Sequence, residues 1–333
     1  MSVTAEAVDR FRHEAFLYSG WAEFIAGTVP FIKDGIEAGE PVLVVESPEK
    51  IDLLRAALGG DADRVLFADM AQVGANPARI IPAWRDFVTR YGTENTRLRG
   101  IGEPIWNGRT ADELVECQRH ESLLNVAFWQ GQTWSLLCPY DVAHLDPSVI
   151  DEARRSHEFV RDAATSLHST DFRGVEACGA RFDVPFPAPK AGPPKLSFDA
   201  ENLLGLRGEV IRFATSAGLS AARATELVTA VNEVATNSIV HGGGRGALRM
   251  WRDGGNLVCE IRDAGRYDVP LSDRTKPGPG LREPRGLWLA NHLCDLVQIR
   301  TFADGTAVRL HTRVDPRHHL HVIPPSEEHA QPR

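Results

Sequence analysis

The stretch LVTAVNEVATNSIVH, residues 227–241, decides the fold of the second half of this 333-residue chain. Glu233, Asn237 and His241 recur every four residues, so a helix brings all three onto one face. Leu227, Val231 and Val234 form a neighbouring apolar stripe that can seat the helix on a core. The pattern predicts a helix from Ala221 to His241, with Ser220 as its N-cap and Gly218 closing a preceding helix read over Phe198 to Ala217. Downstream, Ala247 to Arg252 and Leu257 to Arg262 alternate around Asp253-Gly254-Gly255-Asn256, which is a hairpin signal. A glycine- and proline-rich stretch from Ala264 to Pro284 precedes a helix beginning near Arg285. Two strands, Leu296 to Thr301 and Ala307 to Thr312, then flank Asp304-Gly305. This half therefore reads as an α+β sandwich.

Working outward, the chemistry gathers at three places. A carboxylate and an amide one helical turn apart, Glu233 and Asn237, suit polarising a hydroxyl and holding a hard cation such as magnesium. Asp263-Ala264-Gly265 stands at a strand end, where a carboxylate can accept from an exocyclic amine and a glycine lets a flat ring approach. Pro284-Arg285-Gly286-Leu287 opens a helix, whose free N–H groups and dipole favour phosphate. Each feature alone also fits a plain turn or a solvated face.

In this order and spacing the three boxes resemble the GHKL ATP-binding (HATPase, Bergerat) α/β sandwich of histidine kinases, gyrase and the anti-sigma serine kinases. The resemblance covers residues 198–313 and is closest to the anti-sigma group, because the domain is short and its lid runs only from about Arg266 to Pro284. It implies ATP and Mg2+ as cofactors, Glu233 as general base and Asn237 as magnesium ligand. His241, Asp263, Gly265, Arg285, Gly286 and Leu287 would contact nucleotide, and Thr306 would face the base pocket. Two positions depart from the family pattern: Tyr267 replaces a second glycine after the aspartate, and Pro284 replaces a glycine at the lid end. What the resemblance implies is an anti-sigma-factor-type serine/threonine-protein kinase. It would phosphorylate an anti-sigma-factor antagonist and control sigma-factor availability in a stress response, as a homodimer on the family's model. A catalytically inactive docking module with a vestigial ATP pocket stays open as an alternative.

Upstream, Val42-Leu43-Val44-Val45, Val65-Leu66-Phe67 and Trp134 to Cys138 read as buried strands among helix-patterned segments such as Phe24 to Glu37 and Ile51 to Leu58. That alternation predicts an α/β layer fold. His13-Glu14-Ala15-Phe16, Gly102-Glu103-Pro104-Ile105-Trp106 and Leu137-Cys138-Pro139-Tyr140-Asp141 resemble the MEDS sensory domain, a relative of RecA-like three-layer α/β folds, over about residues 10–165. After the strand at Val42 the chain has Glu46-Ser47-Pro48-Glu49-Lys50, without the Gly-Lys-Ser/Thr of a phosphate loop. A sensor for a small-molecule or protein signal is the reading, with His13, Glu103, Trp106, Cys138 and Tyr140 as candidate pocket residues or core. A metal site among them lacks a short-range ligand pair to support it. Ser156-His157-Glu158-Phe159 superficially resembles a histidine-kinase phosphoacceptor box, but Val160-Arg161-Asp162-Ala163 follows, no proline appears until the linker, and there is no room for a second helix before Pro185. An amphipathic terminal helix is the expectation there, with a sensor histidine kinase-like protein as the alternative.

Five prolines within residues 185–194 read as a semi-rigid linker. The expected organisation is a sensory domain over 1–170, the linker over 171–197, the ATPase-like domain over 198–315 and a tail over 316–333. A net charge of −8 gives no basic field for nucleic acid or an anionic membrane. The five cysteines are odd in number and form no CxxC pair, which suits reduced thiols. With no leader pattern and no long apolar run, a cytoplasmic protein is expected.

Overall fold

The computed structural model describes residues 11–93, 95–129, 133–162, 165–174, 182–189, 192–269, 271–277 and 285–314. Pro284, Gly278 to Gly280, Cys178 and the tail from 316 lie outside the described residues. In the first half, strands and helices alternate as β1 (Arg12–Tyr18), α1 (Gly20–Glu37), β2 (Val42–Glu46), α2 (Pro48–Leu58), β3 (Val65–Asp69), α3 (Met70–Val73) and α4 (Ile80–Tyr91). They continue as β4 (Leu98–Gly102), α5 (Ala111–Phe128), β5 (Trp134–Asp141), α6 (Pro147–Ser156), β6 (Phe159–Arg161) and β7 (Ser166–His168). The sheet order is β3-β2-β4-β5-β1-β6-β7. All neighbours are parallel except β7, which runs against β6.

The period-2 alternation of each strand sorts its apolar residues onto two faces. Phe16, Val44 and Leu137 enter one core with Phe24, Ile32 and Leu54 of α1 and α2. Their neighbours Ala15, Val45 and Leu136 enter another with Trp84, Trp134 and Leu124. A sheet buried on both faces by helices is the three-layer arrangement expected from the sequence. The connections after β1 and β2 are single residues, Ser19 and Ser47, and Ser47 Oγ caps α2 through the Lys50 N–H. Neither leaves chain to wrap a phosphate.

The second half orders its strands β11-β12-β10-β9-β8 in an antiparallel sheet. Its elements are β8 (Leu196–Asp199), α7 (Leu203–Ser216), α8 (Ala221–His241), β9 (Arg245–Asp253), β10 (Asn256–Asp263), α9 (Gly286–Leu293), β11 (Leu296–Phe302) and β12 (Gly305–Arg313). Helices α7, α8 and α9 cover one face over Leu227, Val234, Cys259, Ile261 and Leu310. The expected helix from Phe198 is corrected: Phe198 belongs to β8 and is buried, and the helix starts at Leu203.

The other face of this sheet carries Gln298, Arg300, Arg309 and His311, all buried although polar. They are buried because the first half and the proline-rich stretch sit on them. Arg300 pairs with Glu116 of α5 at 2.7 Å, and Gln298 donates to Asp112 Oδ1 at 3.4 Å. Arg313 pairs with Glu113, and Arg119 donates to the Ile299 carbonyl. Arg79 donates to the carbonyls of Asn291, His292 and Cys294 at 2.8, 2.9 and 3.0 Å, so a guanidinium from the first half satisfies the open C-terminal end of α9. The proline-rich stretch is more than a spacer: Arg309 donates to the Pro187 carbonyl at 2.6 Å and stacks over the Phe186 ring. Among the described residues no helix is long and apolar enough to cross a membrane.

Candidate functional site

Helix α8 places Glu233 and Asn237 one turn apart, half-buried, facing the first turn of α9. Gly286 opens that turn, and a Cβ on it would stand 3.1 Å from Glu233 Oε2 and 3.2 Å from Asn237 Nδ2. The two boxes, 49 positions apart between Asn237 and Gly286 in sequence, therefore meet, and any side chain at 286 would make Glu233 or Asn237 give way. Neither the Glu233 nor the Asn237 side chain hydrogen-bonds to any described residue.

The next residue along α8 joins the third box. Ser238 Oγ donates to Asp263 Oδ2 at 2.6 Å, and the Gly265 N–H donates to Asp263 Oδ1 at 2.8 Å. Thr306 Oγ1 donates to the Gly265 carbonyl at 2.8 Å. A Cβ on Gly265 would lie 2.7 Å from the His241 carbonyl, so this glycine is pressed against the end of α8. Asp263, Gly265 and Thr306 thus form one cluster, and Glu233, Asn237 and Gly286 form another beside it. His241 contributes its carbonyl while its side chain is exposed; Arg285 is exposed at the N-cap of α9, and Leu287 packs on the core. Ser238 escaped the sequence reading, although its place beside Asn237 on the same helix was a usable signal. A cavity of about 630 Å³ lies beside Asp263, lined by Gly242, Ala264, Phe198, Arg249 and Glu260, away from Glu233 and Asn237.

The described part of the loop after β10 is held both by its own residues and by the first half of the chain. Tyr267 accepts from the Asp273 N–H at 3.1 Å and donates to Asp273 Oδ1 at 2.9 Å, and burial pushes its hydroxyl pKa up. The tyrosine standing where a glycine is common therefore ties the loop to itself. Leu271 has φ 70°, a conformation costly for a branched side chain, and its side chain is packed in the core of the first half. Arg274 is buried, donates to the Pro77 carbonyl at 3.3 Å and lies 3.8 Å from Glu116. Arg85 donates to Thr275 Oγ1 at 2.6 Å. Residues 271–275 are thus gripped by the first half of the chain.

The candidate pocket residues of the first half separate into two groups. At the carboxyl ends of β2 and β4, where open α/β sheets take ligands, a cavity of about 310 Å³ is lined by Trp21, Glu46, Lys50, Met70, Glu103 and Trp106. Lys50 Nζ pairs with Glu103, donates to Tyr18 Oη at 2.7 Å and lies 3.8 Å from Glu46. Burial, with the Glu103 charge next, pushes the Glu46 carboxyl up, and burial raises Glu103 against the pull of Lys50. His13 and Cys138 lie elsewhere, fully buried together with Glu121 and His157, and burial followed by the His157 charge pushes the His13 imidazole down to about 4. Tyr140 is buried with its ring edge-on to His157. His157 caps α6 and has no exposure, so the amphipathic helix expected through it ends at Ser156. The described cysteines, Cys117, Cys138, Cys259 and Cys294, are free and buried.

Residues 12–158 match the family model described as MEDS, the MEthanogen/methylotroph, DcmR sensory domain. Residues 196–312 match the model of the histidine kinase-like ATPase domain. Among solved structures, the chain is similar to the RsbU and RsbW domains of Rv1364c from Mycobacterium tuberculosis, at 20% identity and a TM-score of 0.27 over 36% of this chain and 32% of that one. It is also similar to the Acinetobacter baumannii histidine kinase AdeS, at 14% identity and a TM-score of 0.25 over 37% of this chain and 68% of that one. The chain spans about a third of the length of the Mycobacterium tuberculosis structure. No curated protein matches it.

Proposed function

We propose that this chain, a MEDS sensory domain joined to a histidine kinase-like ATPase domain, is a regulator of the anti-sigma type. Its second domain binds Mg-ATP, phosphorylates a serine or threonine of an anti-sigma-factor antagonist, and captures a sigma factor when that antagonist is absent. The supporting observation is the approach of Gly286 to Glu233 and Asn237, two half-buried polar side chains left without described partners. Unspent hydrogen-bonding groups beside a helix N-terminus suit a polyanion and its cation.

In this reading ATP supplies the transferable phosphoryl group. Asn237 holds the magnesium through its amide oxygen, and Glu233 orients and deprotonates the acceptor hydroxyl. Asp263, fixed by Ser238 and the Gly265 N–H, receives the adenine amine, with Thr306 setting the carbonyl of Gly265 beside it. Arg285, Gly286 and Leu287 present the α9 N-terminus to phosphate. The first domain reads a small-molecule or protein signal and acts through its grip on residues 271–275, since a bound signal shifts activity only if it favours one loop arrangement. We place the protein in the cytoplasm and expect a homodimer.

The deciding experiment incubates the full chain with labelled ATP, magnesium and a cognate antagonist. Magnesium-dependent, acid-stable phosphoserine or phosphothreonine on the antagonist is expected. Tight Mg-ATP binding without any transfer would overturn the kinase part, and absence of binding would reduce the domain to a docking module. Acid-labile phosphate on His157 would instead favour a histidine kinase, which the full burial of that imidazole opposes.

A further inference from the structure

Four side chains that are far apart in sequence converge in the interior of the first domain: His13 of β1, Glu121 of α5, Cys138 of β5 and His157 after α6. Their donor atoms all lie within 4.8 Å of one another, and each residue is buried. His13 Nε2 stands 3.1 Å from Glu121 Oε2, His157 Nε2 stands 3.3 Å from the same oxygen, and Cys138 Sγ stands 3.4 Å from His13 Nε2.

The surroundings fix which atoms carry protons. Asn125 donates its amide nitrogen to the Ser156 carbonyl at 2.7 Å, so its Oδ1, 3.1 Å from His13 Nδ1, must accept. His157 Nδ1 lies 2.8 Å from the Ala153 carbonyl, which can only accept. Both imidazoles therefore bear hydrogen on Nδ1 and, when neutral, turn the bare Nε2 lone pair toward one carboxylate. His157 Nε2 and Glu121 Oε1 make no hydrogen bond although fully buried. Lone pairs facing lone pairs in a water-free interior repel unless a positive charge stands between them.

We propose that His13, Glu121, Cys138 and His157 bind a single divalent, borderline-soft metal ion of the Zn2+ class. Two neutral imidazoles, a carboxylate and a thiolate balance a dication, so the buried site is neutral overall; the Cys138 proton leaves to solvent on binding. Tetrahedral zinc bonds of about 2.0–2.3 Å place neighbouring donors roughly 3.3–3.7 Å apart, close to the three separations just given, with all four donors inside 4.8 Å. The Nδ1 contacts to Asn125 and the Ala153 carbonyl are the outer partners that metal-bound histidines ordinarily have. Glu121 shares α5 with Asp112, Glu113, Glu116 and Arg119, the residues that reach the second domain, so the ion would brace the helix that docks the two halves.

The test is made on the full chain. After chelation, Zn2+ or Co2+ alone is titrated back and metal content is measured by mass spectrometry. One ion per chain is expected, with a thiolate-to-cobalt charge-transfer band. Cys138→Ser, which keeps the volume, should lose that band and bind roughly 10- to 100-fold or more weakly; Glu121→Gln should weaken binding while far-ultraviolet circular dichroism reports the fold. A wild-type chain that takes up neither ion, or a cobalt band that persists in Cys138→Ser, overturns the proposal.

Discussion

The two domains each hold a carboxylate against a neighbouring element, Glu103 beside α2 in the first and Glu233 of α8 beside α9 in the second, and they treat it in opposite ways. In the first, Lys50 is already committed to Glu103, Tyr18 and Glu46, under Trp21 and Trp106. In the second, Glu233 and Asn237 face Gly286 with no described partner. A buried charge must be paired from within, whereas a half-buried polar group can keep its water until a ligand arrives. The first set is paired from within, so removing one member should cost stability. The second is left for an outside partner, so removing a member should cost activity and little stability.

The largest effect expected on this contrast is Glu233→Gln, which should lower phosphate transfer by about 10²–10⁴-fold with an unchanged melting temperature. Single-turnover transfer and calorimetric melting measure both at once. A large loss of stability with Glu233→Gln would erase the distinction. The mirror experiment is Lys50→Met, which leaves Glu46 and Glu103 buried without their cation and should cost about 3–5 kcal/mol in urea denaturation. Adding Glu103→Gln to Lys50→Met should return part of that loss, because the pair and not the lysine alone is at stake.

How much of this contrast could be read from residues alone differs between the halves for a physical reason. In the second half the boxes lie on a long periodic helix and at glycine-marked turns, all local signals, and α8 runs over the residues expected, Ala221–His241. In the first half β1 and β4 carry His13, Glu14, Gly100 and Gly102 at positions where an apolar run would have announced a strand. Gly100 and Gly102 are there because Trp84 leaves no room: a Cβ on either would stand 2.9 Å from its ring. The His13–Glu121 contact spans 108 positions, and only the parallel sheet order brings such residues together. The docking of 271–275 on the first domain was likewise invisible, because Leu271 and Arg274 look like ordinary loop residues until their partners are known.

A smaller effect sharpens the second site. Gly286→Ala inserts a methyl group 3.1 Å from Glu233 Oε2 and 3.2 Å from Asn237 Nδ2, tight enough that one side chain must yield. Both tips are half-buried ends of rotatable side chains, so little stability is at stake, and the displaced Glu233 or Asn237 should show as weaker Mg-ATP binding by calorimetry. Undiminished affinity would mean that nucleotide does not enter between α8 and α9.

The smallest effect concerns the seam between the halves. Glu113 caps α5 through the Thr110 N–H and pairs with Arg313 of β12. Burial raises its carboxyl, but the Thr110 N–H, Arg109 and Arg313 together hold it below its ordinary value of 4.5. A carboxylate whose folded value is depressed contributes stability above the unfolded value, and that contribution fades as pH falls from 4.5 through the folded value. Glu113→Gln keeps the helix cap, since an amide oxygen can still accept from Thr110, and removes only the charge. Because Arg313 is a third exposed, the loss near neutral pH should stay under about 1 kcal/mol and shrink with salt. Urea denaturation of the two proteins should therefore differ slightly near neutral pH and converge on the acid side of 4.5. A difference that persists unchanged into acid would mean that Glu113 holds the seam by shape and not by charge.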